Sequence, residues 1–268
     1  MKKLFLSCSL LIFSLIAFAG GDTYQILHVK GTIMVKSSGK ILKPGDVISA
    51  EDQLVFRGDA MAAVISPQKG RFVMKAGQAA NANSEIVAYV KSAISPASSK
   101  LSTRKGLINN LLDLKKYFDE GKTPMVVVGK LAVSLNPSVF PLNNEHFFYI
   151  RYRYKGEEVN KQLEFQNDKI FIEKQALFAV DGKPIAESDV SGKMVLYYYH
   201  KEVSDSIVNV QFNFPILEEL KQQIKMIKSA NAGKPRKDII EEILAFVLET
   251  YGIPDEEAIE ILYDGLGN

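Results

Sequence analysis

Between Tyr24 and Lys75 apolar and polar residues alternate in short runs, and run after run ends at a glycine. A period of two sends successive side chains to opposite faces of an extended chain, so each run reads as a strand with one face toward a core. In the first run Leu27, Val29, Ile33 and Val35 share one face, and His28, Lys30, Thr32 and Met34 share the other. Gly39 closes that run within Lys36–Lys40, and Pro44-Gly45 suits the two central positions of a type II turn. Further short strands follow near Asp46–Ile48, Gln53–Arg57, Ala60–Ile65 and Gly70–Lys75. Five strands with turns this dense predict a small barrel or sandwich rather than a parallel α/β sheet.

These residues carry a resemblance. Val29-x-Gly31-x-Ile33-x-Val35, Leu42-x-x-Gly45-Asp46-x-Ile48, Asp52-x-Leu54 and Asp59-Ala60 through Ile65 look like the FecR-type β domain, over about a fifth of the chain. The resemblance implies an extracytoplasmic all-β module of the kind found in proteins that relay a signal from outer-membrane receptors to sigma-factor control. Members of that family carry a cytoplasmic segment and a membrane span ahead of the domain. Here a different leader precedes it.

Lys2 and Lys3 stand before an uncharged apolar run, Leu4–Phe18, and Ala17-Phe18-Ala19 supplies the small-x-small pattern of a signal peptidase site. The run falls short of the roughly 20 residues that span a bilayer. A signal peptide over residues 1–19, cleaved after Ala19, is expected, which places the protein in the periplasm or outside the cell; the alternative is a retained anchor. Cys8 lies inside the run, too early for a lipoprotein site, and leaves with it. The remaining chain can then form no disulfide, so its apolar core alone must stabilise it. The leader also takes two lysines: 33 − 2 = 31 basic residues face 31 acidic ones, so no net field favours nucleic acid.

A linker is expected over Lys91–Gly106, rich in Ser, Lys, Pro and Ala, followed by a short amphipathic helix on Leu107, Leu111, Leu114 and Phe118. Met125–Val128 and Leu131–Leu135 read as apolar strands able to pair with either neighbouring module. From His146 a second β region begins. Phe148, Ile150, Tyr152 and Tyr154 share a face opposite Arg151 and Arg153, and strands follow at Val159–Phe165, Lys169–Glu173, Lys193–Lys201 and Ile207–Phe214. About six strands without an intervening helix predict an Ig-like antiparallel β-sandwich, lacking the Cys and Trp of an antibody core. At Pro215 the period lengthens: Leu217, Leu220, Ile224 and Ile227, then Ile240, Ile243, Leu244, Val247, Leu248 and Tyr251, mark two helices, and Asp255 can cap a third. The expected architecture is mainly β with an α-helical C-terminal region: a FecR-like module over 24–90, a linker and helix over 91–122, a sandwich over 123–214 and a helical subdomain over 215–268. The apolar stripes of that subdomain need a partner, either the sandwich or another protein.

Signals of catalysis are weak. The chain has three histidines: His28 on the polar face of a strand, and His146 and His200 at strand ends. There is no Gly-x-Ser-x-Gly elbow, no His-x-x-x-His or Cys-x-x-Cys spacing, and no phosphate-binding glycine loop, so neither a metal nor another cofactor is expected. Glu157-Glu158, Glu218-Glu219 and Glu241-Glu242 are sequence neighbours that point apart, as solvated faces do. Arg57-Gly58-Asp59, the tripeptide read by integrins, is explained by a turn between two strands. Tyr197 and Tyr199 share a strand face and, with Arg151 and Arg153, are the candidate binding residues for a sugar or peptide; the competing reading buries a face of that strand against Tyr152 or Tyr154. The expectation is an exported, non-catalytic binding or scaffold protein with an envelope partner and no membrane span after cleavage. The alternatives are an envelope enzyme using paired carboxylates, or a signal-relay component.

Overall fold

The computed structural model describes residues 22–75, 85–96 and 106–267. The expected signal peptide, Cys8 and most of the expected linker lie outside the described residues.

The first sheet contains β1 (Thr23–Val35), β2 (Val47–Ser49), β3 (Gln53–Ser66), β4 (Gly70–Lys75), β5 (Glu85–Tyr89) and β6 (Ile94–Pro96), paired in the order β2-β1-β3-β4-β6 with β5 also on β3. The two strands expected near Gln53–Arg57 and Ala60–Ile65 are one continuous β3. Arg57-Gly58-Asp59 is an irregularity inside it and not a turn: the register steps from Lys30↔Met61 to Thr32↔Arg57, and Gly58 has φ 60°. One half of β3 pairs with β5 and the other with β4, while β1 runs along both. The kink folds the sheet around a core of Tyr24, Ile26, Ile33, Leu54, Phe56, Val64 and Met74, which Val90 and Ala93 of α1 (Val90–Ala93) help to close. Gly31 sits at the kink with φ 76°, and a Cβ there would meet the Ala60 Cβ at 3.0 Å, so the position requires glycine. Ile94–Pro96, expected in the linker, is an edge strand on β4.

A second bulge corrects the expected faces of β1. Between Ile26↔Val64 and His28↔Ala63 the register slips by one, which carries Leu27 away from Val29 to the opposite face. There Leu27, Ala63 and Ile65 form a core with the C-terminal helices. His28, expected at the surface, lies on this helix-covered side as well, partly buried with its ring 5.4 Å from Tyr251.

After a capped helix, α2 (Leu111–Tyr117), the chain enters the sandwich. Its strands are β7 (Met125–Val126), β8 (Lys130–Ser134), β9 (His146–Tyr154), β10 (Glu157–Gln162), β11 (Glu164–Gln166), β12 (Lys169–Glu173), the hairpin β13 (Ala179–Val180) and β14 (Lys183–Pro184), then β15 (Val190–His200), β16 (Val203–Val210) and β17 (Phe212–Asn213). Antiparallel sheets β10-β9-β15-β16 and β11-β12-β8 enclose one core, in which Phe148, Ile150, Tyr152 and Leu196 meet Leu131, Val133, Ile170 and Ile172. The chain passes from one sheet to the other at Leu163, whose amide donates to the Phe148 carbonyl. Leu114 and Phe118, from α2 and its end, are buried in the same core. The expected mainly β fold, an antiparallel sandwich followed by helices, is the observed one.

Three helices end the chain: α4 (Leu217–Ala230), α5 (Arg236–Thr250) and α6 (Glu256–Gly265), following the one-turn α3 (Lys174–Leu177). Their main partner is the first sheet: Leu220, Ile224, Ile227, Ile243, Phe246 and Val247 pack on Leu27, Ala63 and Ile65, while the sandwich contributes Val126 to this core and receives Leu248 in its own. Glu242, expected on a solvated face, instead accepts from Arg71 Nε at 2.7 Å; Glu249, two helical turns on, pairs with the same guanidinium. β7 joins the layers. It pairs in parallel with β17, and on its other side Val126 N donates to Ile253 O and Ile253 N to Pro124 O, each at 2.8 Å. Alternation then puts Met125 and Val127 in the sandwich core and Val126 in the helical one.

The helix–sheet seam contains a small polar cluster. Tyr251 donates its hydroxyl to Gln223 Oε1 at 2.8 Å and stands 3.5 Å from His28 Nδ1, while Gln223 Nε2 is buried without a partner. Burial pushes the His28 pKa below its ordinary 6.5, against the opposing pull of the Glu219 carboxylate. Above that pH the imidazole is neutral folded or unfolded. Below it the unfolded chain takes up the proton more readily, so stability falls as pH drops. Thermal midpoints measured from pH 7.5 to 5 are expected to decline through this window and to decline less in His28→Asn; equal slopes would remove His28 as the cause.

Candidate functional site

Strands β9 and β15 are neighbours in the four-stranded sheet, and their register decides which side chains meet. Tyr197 stands opposite Tyr149, Tyr199 opposite Phe147, and Val195 opposite Arg151. Period-two alternation sends Phe148, Ile150, Leu196 and Tyr198 inward and leaves Phe147, Tyr149, Arg151, Tyr197 and Tyr199 on the outer face. The rings form two stacked cross-strand pairs. Tyr149 and Tyr197 lie 5.0 Å apart with planes inclined by 8°, and Phe147 and Tyr199 lie 4.8 Å apart at 26°. Phe147 and Tyr149 are in turn 6.4 Å apart, so the four rings are contiguous.

Arg151 closes one end of the array. Its guanidinium carbon is 4.8 Å from the Tyr197 ring centre and 5.7 Å from that of Tyr149, an attraction between a cation and the negative ring faces. Nε donates to Asn160 Oδ1 at 2.8 Å and Nη1 pairs with Glu158 at 3.4 Å, which fixes the fork over the rings. The rims are polar, with Asn160 and Gln162 of β10 on one side and Ser204 and Ser206 of β16 on the other.

The candidate residues thus divide. Tyr197, Tyr199 and Arg151 are brought together. Their partners are Tyr149 and Phe147 rather than Tyr152 or Tyr154, and the core-facing tyrosine of the triplet is Tyr198, whose hydroxyl donates to Pro141 O at 2.9 Å. Arg153 is exposed one row further along β9, opposite Glu158 and Ser191 and outside the stacked array. Sequence reasoning missed Phe147 and Tyr149. The signal was available in the consecutive aromatic run Phe147-Phe148-Tyr149, which places rings on both faces of a strand as Tyr197-Tyr198-Tyr199 does.

Chemically the array is a surface for oxygen-rich chains. Phe147, Tyr197, Tyr199 and Arg151 are partly exposed, whereas Tyr149 is 6% exposed and its hydroxyl accepts from Arg151 Nη2 at 3.4 Å. Ring edges carry the positive end of the aromatic quadrupole. Together with arginine, amide and hydroxyl rims they suit hydroxyl and carbonyl oxygens.

Two of the three histidines also meet: His146 and His200 are cross-strand partners. His200 Nε2 is 2.8 Å from Asp205 and His146 Nδ1 is 3.1 Å from Asn143. Among the described residues no group of three or more His, Cys, Asp or Glu side chains is placed to hold a metal ion. Elsewhere Glu120 and Glu187 line one cleft of about 400 Å³ together with Lys193, Asn209 and Gln211. The hydrogen bond from Lys122 holds the Glu120 carboxyl below its ordinary range, the reverse of what a general acid requires, and Glu187 pairs with Lys174 at 3.4 Å. No family model, curated protein or solved structure matches the chain. Among the described residues no helix is long and apolar enough to cross a membrane.

Proposed function

We propose that this protein is an exported, non-catalytic binding module of the cell envelope, and that the outer face of its four-stranded sheet is the contact surface. One observation carries the reading: two stacked aromatic pairs and a clamped arginine stand on the outward side of a sheet whose other side is already core. A cluster of this size away from the core indicates recognition more than stability. The ligand class is an extended glycan, gripped by ring edges, the Arg151 fork and the Asn160, Gln162, Ser204 and Ser206 rims. The leader Met1–Ala19 and the FecR-like pattern of Tyr24–Lys75 support export and an extracytoplasmic setting. Intact mass of protein recovered from the periplasm is expected to begin at Gly20; a mass retaining residues 1–19 would remove the cleaved signal.

The binding test is co-sedimentation with insoluble envelope glycan. Wild-type protein is expected in the pellet, and Tyr197→Ala/Tyr199→Ala is expected to bind about thirtyfold more weakly, since each of the two ring contacts is worth about 1 kcal/mol. Tyr197→Phe/Tyr199→Phe keeps the stack and separates loss of the hydroxyls from loss of the fold. Retention by the alanine variant equal to wild type would sink the proposal, and binding to envelope peptides alone would replace the glycan with a peptide.

A further inference from the structure

The helical layer carries a concavity that the aromatic face does not involve. Where α4 ends, the connection to α5 and the end of α6 converge on a groove of about 660 Å³, within the range of small-molecule sites. Lys225, Lys228 and Lys234 line it, with Ser229, and its apolar surface includes Ile239, Tyr263 and Leu266. No Asp or Glu lines it among the described residues. Two carboxylates of α6 are committed elsewhere: Arg236 pairs with Asp264 at 2.9 Å and Glu260 at 3.5 Å.

Three ammonium groups without a carboxylate are a local anomaly in a chain of nearly balanced charge. Lysines late in a helix do complement its dipole. That accounts for Lys228 but not for Lys225, which lies before the last turn, nor for Lys234, which stands in the turn beyond α4. Lys228 is also held in place, with Nζ 4.6 Å from the Tyr263 ring centre and donating to the Gly267 carbonyl at 2.6 Å. A fixed cation over an aromatic floor, flanked by two further ammonium groups, is arranged for a ligand with an anionic head and an apolar body.

We propose that this groove binds a small organic anion, its phosphate, sulfonate or carboxylate head against Lys225, Lys228 and Lys234 and its apolar body against Ile239, Tyr263 and Leu266. The site stands independently of the glycan reading.

The test titrates the full chain with 2-naphthyl phosphate, 2-naphthol and inorganic phosphate by calorimetry. Saturable 1:1 binding of 2-naphthyl phosphate, about tenfold tighter than either fragment, is expected, because head and body each contribute about 1.4 kcal/mol or more. Binding is expected to weaken as salt rises. Lys225→Gln/Lys228→Gln/Lys234→Gln is expected to lose it, while Lys221→Gln, which removes a lysine paired with Glu218, keeps it. Absence of saturable binding, or binding that the triple variant retains, would overturn the site. Vesicles separate a lipid source: co-sedimentation with phosphatidylglycerol-containing but not pure phosphatidylcholine vesicles, lost in the triple variant, would place the anion in a membrane and overturn the small-ligand proposal.

Discussion

Gly252→Ala is expected to destabilise the protein by about 3 kcal/mol or more, and to lower its thermal midpoint by roughly 10 °C. Gly252 has φ +119°, a region that side chains with a Cβ avoid. A Cβ there would lie 2.2 Å from the Pro124 carbonyl oxygen and 2.9 Å from the Pro124 ring. Neither can retreat. The Pro124 oxygen accepts from Ile253 N at 2.8 Å, and that bond holds β7 to the end of α5. The change therefore strains one residue and also pulls at the junction where the sandwich and helical cores meet. Circular dichroism melts of Gly252→Ala beside Gly129→Ala make the comparison: Gly129 also has positive φ but nothing within 4 Å of its Cβ position, so its cost is conformational alone. Equal midpoints for the two variants would mean that the close approach at Pro124 carries no energy.

Arg71 is the second sensitive point. Its side chain is 2% exposed, and it holds Glu242 and Glu249 across the boundary between β4 and α5. Removing one member of a buried ion cluster leaves the others desolvated and uncompensated, at a cost of about 3–5 kcal/mol. The two carboxylates keep 29% and 24% of their exposure, so the lower end, about 3 kcal/mol, is expected for Arg71→Met. Replacing all three, Arg71→Met/Glu242→Met/Glu249→Leu, removes the guanidinium together with the two carboxylates it holds and is expected to recover most of that loss. Urea unfolding of both variants decides the point. A triple variant no more stable than the single one would show that the guanidinium stabilises the seam by attraction rather than by preventing isolated charge.

What was legible in the sequence follows from the range of each signal. Alternation and turn chemistry are local, so most strands, the helices and the sandwich were visible in them. The bulge at Leu27 was not, because a one-residue slip leaves no mark when Leu27 and Val29 are both apolar. In the sequence His28 and Glu242 look like surface residues because each lies on a polar side of its own element, and only the docking of helices on the first sheet makes that side an interior. Tyr197, Tyr199 and Arg151 were legible as one face of one sheet region; Phe147 and Tyr149 required the β9–β15 register, a long-range quantity. Arg153 shares the parity of Arg151 but lies past the bulge that steps the register between Ser191 and Val195.

The docking of α4–α6 on the first sheet bears on the order in which the molecule can be made. Leu27, Ala63 and Ile65 are synthesised early, and the residues that cover them, Leu220 onward, follow more than 150 positions later. At about 5–20 residues per second a ribosome needs on the order of 10–30 s to supply that cover. During this interval the first sheet has one apolar face without its natural lid, so its final state can be reached only after synthesis is complete. For the export proposed above, such a delay would keep the chain loosely folded while it is threaded through a membrane. A fragment ending before Leu217 is left with the opposite problem, an uncovered sheet face and a tendency to aggregate.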